Sequence, residues 1–89
     1  MNITKVVVRP VEMNKVCGVA SITIDDEFVV HDLRVVDGDK GLFVAMPSRK
    51  LPNGEYRDIA HPINTQTRAM LQAAVLAEFK QMMASIAES

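Results

Sequence analysis

Apolar residues recur at every second position over much of the first half of the chain, with polar turns between the apolar runs. From residue 16 to residue 24 this alternation places one set on the same face: Val16, Gly18, Ala20, Ile22 and Ile24. The segments 25–27 and 37–41 read as turns, because the first is acidic and Gly38 and Gly41 in the second allow positive φ. The pattern predicts four strands, over about residues 3–9, 16–24, 28–36 and 42–46, joined as an antiparallel β-meander.

Prolines mark the limits of several predicted elements. Pro10 lacks a backbone donor, so the first strand either ends there or lies at the edge of the sheet. The polar segment 48–58 has Leu-Pro-Asn-Gly at its centre, which predicts a turn or a mobile hairpin tip. His61 precedes Pro62 and is therefore expected to be extended.

After Pro62 the apolar period changes from two to between three and four, which predicts a helix over about 64–87. Asn64 is the expected N-cap. The apolar stripe comprises Leu71, Ala74, Val75, Phe79, Met82 and Ile86. The prediction is one α+β domain over 1–89, with strands within 3–46, a basic turn or loop at 47–58 and a long C-terminal helix.

Length and composition favour a protein with a partner subunit. Eighty-nine residues suffice for one domain. A chain this short buries only about 60–65% of its unfolded surface, so a lone monomer would be marginally stable. Aromatic residues make up 4% of the chain, and six Met help to fill the core instead. We therefore predict a homodimer.

The chain lacks the signs of a secreted or membrane protein. Cys17 is the single cysteine and cannot form an intrachain disulfide. The N-terminus has no apolar signal core, and no apolar run approaches the ~20 residues that span a bilayer. We expect a cytoplasmic protein with no membrane partner.

Charge is unevenly distributed although the net charge is −1. Residues 25–39 carry six carboxylates and one cation, whereas residues 40–80 carry six cations and three carboxylates. This distribution predicts an acidic end and a basic end.

No group of residues indicates catalysis, a metal site or a cofactor. His31 and Asp32 are adjacent on a predicted strand and point to opposite faces, so they cannot chelate one ion without local distortion. Cys17 has no neighbouring histidine or basic pair and is expected to be a buried small hydrophobe. Gly38 and Gly41 flank a turn, with no phosphate-binding strand–loop–helix signature. We expect no enzyme activity, no cofactor and no small-molecule substrate.

The strongest candidate for binding is a set of basic residues around the central turn: Arg49, Lys50, Arg57 and Arg68. The first three flank the Pro-Asn-Gly turn, and Arg68 lies in the first helical turn, whose amides and dipole favour anions. Phosphates of a nucleic acid would suit such a surface, with Asn53 or Tyr56 as candidates for contact with bases. The alternative is that Arg57 pairs locally with Glu55 or Asp58 and that Arg68 is merely solvated.

Four segments in the same order and spacing resemble the stage V sporulation protein G (SpoVG) family: 20–23 (ASIT), 26–32 (DEFVVHD), 41–48 (GLFVAMPS) and 56–64 (YRDIAHPIN). The resemblance implies a small dimeric bacterial regulator, linked to sporulation and septum placement, that prefers particular DNA sites, with RNA binding in some members. It also implies nucleic-acid contact by the basic residues after the Met-Pro-Ser segment, here Arg49 and Lys50.

Two function classes remain open. In the first, the chain is a dimeric DNA-binding regulator, with RNA as a further ligand, that affects gene expression, septation and, where it occurs, sporulation. Alternatively, it is a dimeric protein–protein adaptor in division or envelope metabolism whose nucleic-acid affinity has no physiological role. Steep salt dependence of binding would distinguish the first class from the second.

Overall fold

Four antiparallel strands in chain order form the main sheet, and one long helix follows, which confirms the predicted α+β meander. The computed structural model describes residues 1–88, Glu88 by its backbone alone; Ser89, the last residue of the predicted domain 1–89, lies outside the described residues. The elements are β1 (Ile3–Met13), β2 (Val16–Ile24), β3 (Phe28–Gly38), β4 (Gly41–Ala45), β5 (Ser48–Lys50), β6 (Tyr56–Asp58) and α1 (Thr65–Glu88).

β1 lies at the edge of the sheet and pairs with β2 alone. It continues beyond Pro10 to Met13, with an irregular register between these two residues. Of the two expectations for Pro10, the edge position is the one observed, because an edge strand tolerates a missing donor.

The core lies between one face of the sheet and α1. Its fully enclosed side chains come from both layers, and among them Leu33, Val35 and Val75 have no exposed surface. The predicted face of β2 is confirmed, since Gly18, Ala20 and Ile22 are all buried. A Cβ on Gly18 would lie 3.1 Å from Cδ1 of Phe79, so the missing side chain allows α1 to pack closely on β2.

The predicted strand alternation fails at His31 and Asp32, where β3 contains a β-bulge. Ala20 and Ile22 of β2 pair with Leu33 and Val30, so the single residue between them on β2 faces two residues on β3. Asp32 adopts a left-handed φ of 66°, and both bulge residues are exposed. This is the local distortion that a shared His–Asp ligand pair would need, yet no group of three metal-binding side chains is found among the described residues.

The acidic residues do not form one end of the molecule. The turn at residues 25–27 precedes β3, and Asp37 and Asp39 lie at its other end. An 11-residue strand separates the two groups, and at ~3.4 Å per residue they lie on the order of 35 Å apart. The predicted acidic end is therefore wrong, because antiparallel connection sends consecutive turns to opposite ends of a sheet.

Candidate nucleic-acid interface

The segment predicted as a basic loop is a second, two-stranded sheet, called here the hairpin arm (residues 48–58). At its tip, Gly54 N–H donates to Leu51 O at 3.0 Å, and Leu51 N–H donates to Glu55 O at 2.7 Å. Gly54 has a φ of 89°, which closes the turn at little steric cost. Of the two expectations for this segment, the structure shows a hydrogen-bonded hairpin tip.

The hairpin arm stands away from the main sheet and from α1. No Cα of β5 or β6 lies within 8 Å of a Cα in β1–β4 or in the described part of α1. At its base, Ile59 N–H donates to Pro47 O at 2.7 Å, and the Arg34 guanidinium donates to Ser48 Oγ at 3.1 Å. Arg34 thus helps to hold the arm, a role that no local sequence signal indicates.

Two arginines face each other across the arm. Arg49 pairs directly with Arg57 in the β5–β6 register, so their side chains leave the same face. Both are exposed. In residues 1–88, the ion pair found within 4.0 Å joins Lys15 to Asp39 at 3.9 Å, so neither Glu55 nor Asp58 neutralises Arg57. The local pairing considered as an alternative is absent from the described side chains.

The other face of the arm combines a cation with an aromatic ring. Lys50 pairs directly with Tyr56, whose surface is 69% exposed. Asp58 lies two residues further along the same strand, opposite Ser48. An open cleft beside β6 is lined by Tyr56, Arg57, Asp58 and His61. This arrangement offers a flat apolar surface next to positive charge.

Arg68 lies outside the hairpin arm, which carries the other three predicted binding residues. It is exposed in the first turn of α1, where Asn64 Oδ1 accepts a hydrogen bond from Thr67 N–H at 2.7 Å. This bond confirms Asn64 as the N-cap. The structure therefore brings Arg49, Lys50 and Arg57 together on the arm, whereas the Cα of Arg68 is more than 8 Å from every Cα of β5 and β6.

Cys17 offers no reactive thiol. Its Sγ donates to Val35 O at 3.4 Å, and the half-buried side chain packs against the core. Burial raises the pKa of the Cys17 thiol above its ordinary value, and the Asp37 carboxylate raises it further. The thiol therefore stays protonated and poorly nucleophilic near neutral pH.

No helix in the part of the chain that the structure describes is long and apolar enough to cross a membrane.

Comparison with known proteins agrees with the sequence segments noted above. The sequence model of the SpoVG family matches residues 1–81. "Putative septation protein SpoVG" of Lachnospira eligens is 63% identical over 82 residues, covering 91% of this chain and 93% of that protein. "Putative septation protein SpoVG 1" of Listeria monocytogenes is 59% identical, covering 90% of this chain and 79% of the relative. The corresponding Geobacillus thermodenitrificans protein is 55% identical, covering 92% and 86%. The chain belongs to the SpoVG family.

Proposed function

We propose that this chain is a homodimeric nucleic-acid-binding regulator that acts on septation and, in organisms that sporulate, on sporulation. DNA is the proposed principal ligand and RNA a further one. Relatives that share more than half of its residues are named septation proteins. The observation that carries the binding proposal is the Arg49–Arg57 pair, which has no carboxylate within 4.0 Å in the described structure.

Like charges placed directly opposite each other destabilise a β-ladder. An anion bound between the two guanidinium groups would replace this repulsion with attraction. A phosphodiester backbone supplies anions at regular spacing, and guanidinium groups can bind phosphate oxygens through two hydrogen bonds at once. Lys50 adds a third cation on the same arm.

The exposed surface supports a dimer. The chain exposes 6442 Å², whereas a folded monomer of 9.8 kDa is expected to expose about 5,200 Å². The excess is comparable with the ~800 Å² that each partner buries in a standard interface. The sheet face opposite α1 carries four large apolar side chains, with three cations beside them: Val7, Val19, Val36 and Phe43, and Lys5, Arg9 and Arg34. Val7 is 44% exposed and Phe43 42%, so this face is the proposed dimer surface.

The open sheet face is also the observation behind the second function class, a protein–protein adaptor, since another protein would cover the same side chains in place of a second copy of this chain. Such an adaptor would bind its partner through apolar contact, and its interaction would depend little on salt. A regulator that contacts phosphates releases counterions, so its affinity falls steeply as salt rises. The two functions therefore differ in how steeply the binding affinity falls as the salt concentration rises.

The experiment is a fluorescence-anisotropy titration of DNA from upstream of the chain's own gene, at salt concentrations between 50 and 200 mM. If a dimer neutralises about six phosphates, affinity falls roughly a thousandfold over this range. The double variant Arg49→Ala/Lys50→Ala should bind all sequences more weakly and with a flatter slope, since phosphate contacts do not read bases. The control Lys40→Ala/Lys80→Ala removes the same charge from exposed positions outside the arm and outside the open sheet face.

Two results would contradict the proposal. If the Arg49/Lys50 double variant folds and binds as tightly as the parent, the arm is not the binding site. If the parent shows no salt-dependent binding to DNA or RNA, the adaptor function replaces the regulator.

A further inference from the structure

We propose that the hairpin arm binds single-stranded nucleic acid, with an unpaired base stacked on the ring of Tyr56. This inference rests on the proposed nucleic-acid function and specifies the form of the ligand. Tyr56 is the single tyrosine, and it is 69% exposed beside Lys50 and Arg57. An exposed aromatic ring with adjacent cations is the combination that single-strand binding surfaces use, because each base has a π-face and each linkage a phosphate.

The ring position favours contact with a base face over contact with a base edge. In a duplex the base faces are hidden in the stack, and only the edges are accessible in the grooves. An aromatic side chain therefore gains most from bases that are already unstacked. The open cleft formed with Arg57, Asp58 and His61 leaves room beside the ring for such a base.

The tip of the arm is poorly equipped to read a duplex groove. Asn53 Oδ1 accepts the N–H of Glu55 at 3.0 Å, so the turn already fixes the orientation of the amide, and turning it toward an adenine edge for bidentate recognition would break this bond. Glu55 adds an exposed negative charge at the tip, which opposes entry between two phosphate backbones. Leu51 and Pro52 supply no polar group from their side chains.

The charges along the arm indicate where a bound nucleic-acid strand would lie. Lys50 is opposite Tyr56 on one face, so it can reach a phosphate next to the stacked base. Asp58, two residues toward the base of the arm, repels phosphates on that face. Arg57 follows Tyr56 directly and shares the second face with Arg49. A nucleic-acid strand with one base stacked on Tyr56 therefore has cations within reach on both faces of the arm.

The chain provides its own probe, because it contains no tryptophan and Tyr56 is its single tyrosine. Tyrosine emission thus reports on this site alone. The ligands are a 12-nucleotide oligothymidylate, the matching oligouridylate and a blunt 12-base-pair duplex, titrated at 50 mM salt by anisotropy of a labelled strand and by tyrosine emission. We expect both single strands to quench Tyr56 and to bind at least about tenfold more tightly than the duplex.

Two substitutions separate stacking from charge. Tyr56→Leu should weaken single-strand binding roughly ten- to hundredfold without changing the salt slope, because it removes a stacked base and no phosphate contact. Tyr56→Phe keeps the ring and should bind nearly as the parent does. Circular dichroism checks that each variant is folded, and Tyr56 is exposed enough for the fold to tolerate both changes.

Three results would overturn the inference. In the first, the parent binds the duplex tightly and with salt dependence, its tyrosine emission does not change, and Tyr56→Leu binds as the parent does. This result would leave the proposed function intact but exclude stacking. Emission that changes with protein concentration and not with added strand would place Tyr56 in an interface between chains. Absence of binding to all three ligands would overturn both the inference and the proposed function.

Discussion

Removing one charge from the Arg49–Arg57 pair should stabilise the hairpin arm while weakening its binding to nucleic acid. The change is Arg57→Gln, which leaves a shorter polar side chain on the strand and removes the repulsion across the ladder. If Arg49 and Arg57 are arranged to bind a ligand, removing one of them should stabilise the arm and weaken binding. If they served the fold alone, removing one would destabilise the arm as well.

The magnitude follows from the geometry of the pair. Side chains directly opposite in a ladder have Cβ atoms about 5 Å apart, and flexible guanidinium groups separate somewhat further. At ~6 Å in water the repulsion is about 0.7 kcal/mol. A screening length of ~8 Å at 0.15 M salt reduces it to about 0.3 kcal/mol. Opening of the arm should therefore become roughly threefold rarer at low salt and less than twofold rarer at 0.15 M.

Hydrogen exchange at two amides measures this opening directly. Leu51 N–H donates to Glu55 O on the tip side of the pair, and Ile59 N–H donates to Pro47 O on the base side, each at 2.7 Å. Protection of both should rise in Arg57→Gln, while the DNA salt slope falls by about one per protomer. Lys40→Gln is the control, an exposed cation outside the arm. Equal protection in parent and Arg57→Gln at low salt would refute the repulsion.

Two further predictions concern the assembly and the helix. At about 10 µM the chain should sediment as a dimer, and Val7→Lys on the open sheet face should shift it toward monomer; a folded monomeric parent would contradict the proposal. Asn64→Ala removes the N-cap bond to Thr67 N–H and should cost about 1 kcal/mol, or roughly 4–8 °C in Tm by circular dichroism. Asn64→Asp keeps an acceptor and should melt close to the parent, and an equal loss in both variants would show that the cap bond is not the cause.

The elements predicted correctly from the sequence are those whose signal is local. Asn64 caps α1 because side-chain acceptor and backbone donor are three residues apart, a spacing visible in the chain itself. The buried face of β2 follows from period two alone, and Leu71, Val75 and Phe79 follow from helical spacing. In β2 and α1 the pattern extends over enough residues to fix one periodicity.

The features missed depend on the register between segments. The bulge at His31 and Asp32 arises from how β3 aligns with β2, and neither strand shows it alone. The strands of the hairpin arm are three residues long, too short for an alternation to be recognised. The distance from Arg68 to the arm depends on where α1 packs on the sheet, and helical spacing does not specify it.

The position of the arm explains how the fold tolerates an unfavourable pair. Within the core, where the effective dielectric constant is lower, the same two charges would repel several times more strongly and would reduce a total stability that amounts to only about 5–15 kcal/mol in small domains. No Cα of the arm's strands lies within 8 Å of a Cα in another strand or helix of the described structure, and the hydrogen bond from Arg34 ties the arm at its base. The repulsion between Arg49 and Arg57 therefore changes local opening of the arm and not global unfolding. Under the proposed function, a phosphate that neutralises Arg49 and Arg57 would order the arm as it binds. Charge-removing variants on the arm should therefore alter affinity while leaving the melting temperature of the sheet and helix unchanged.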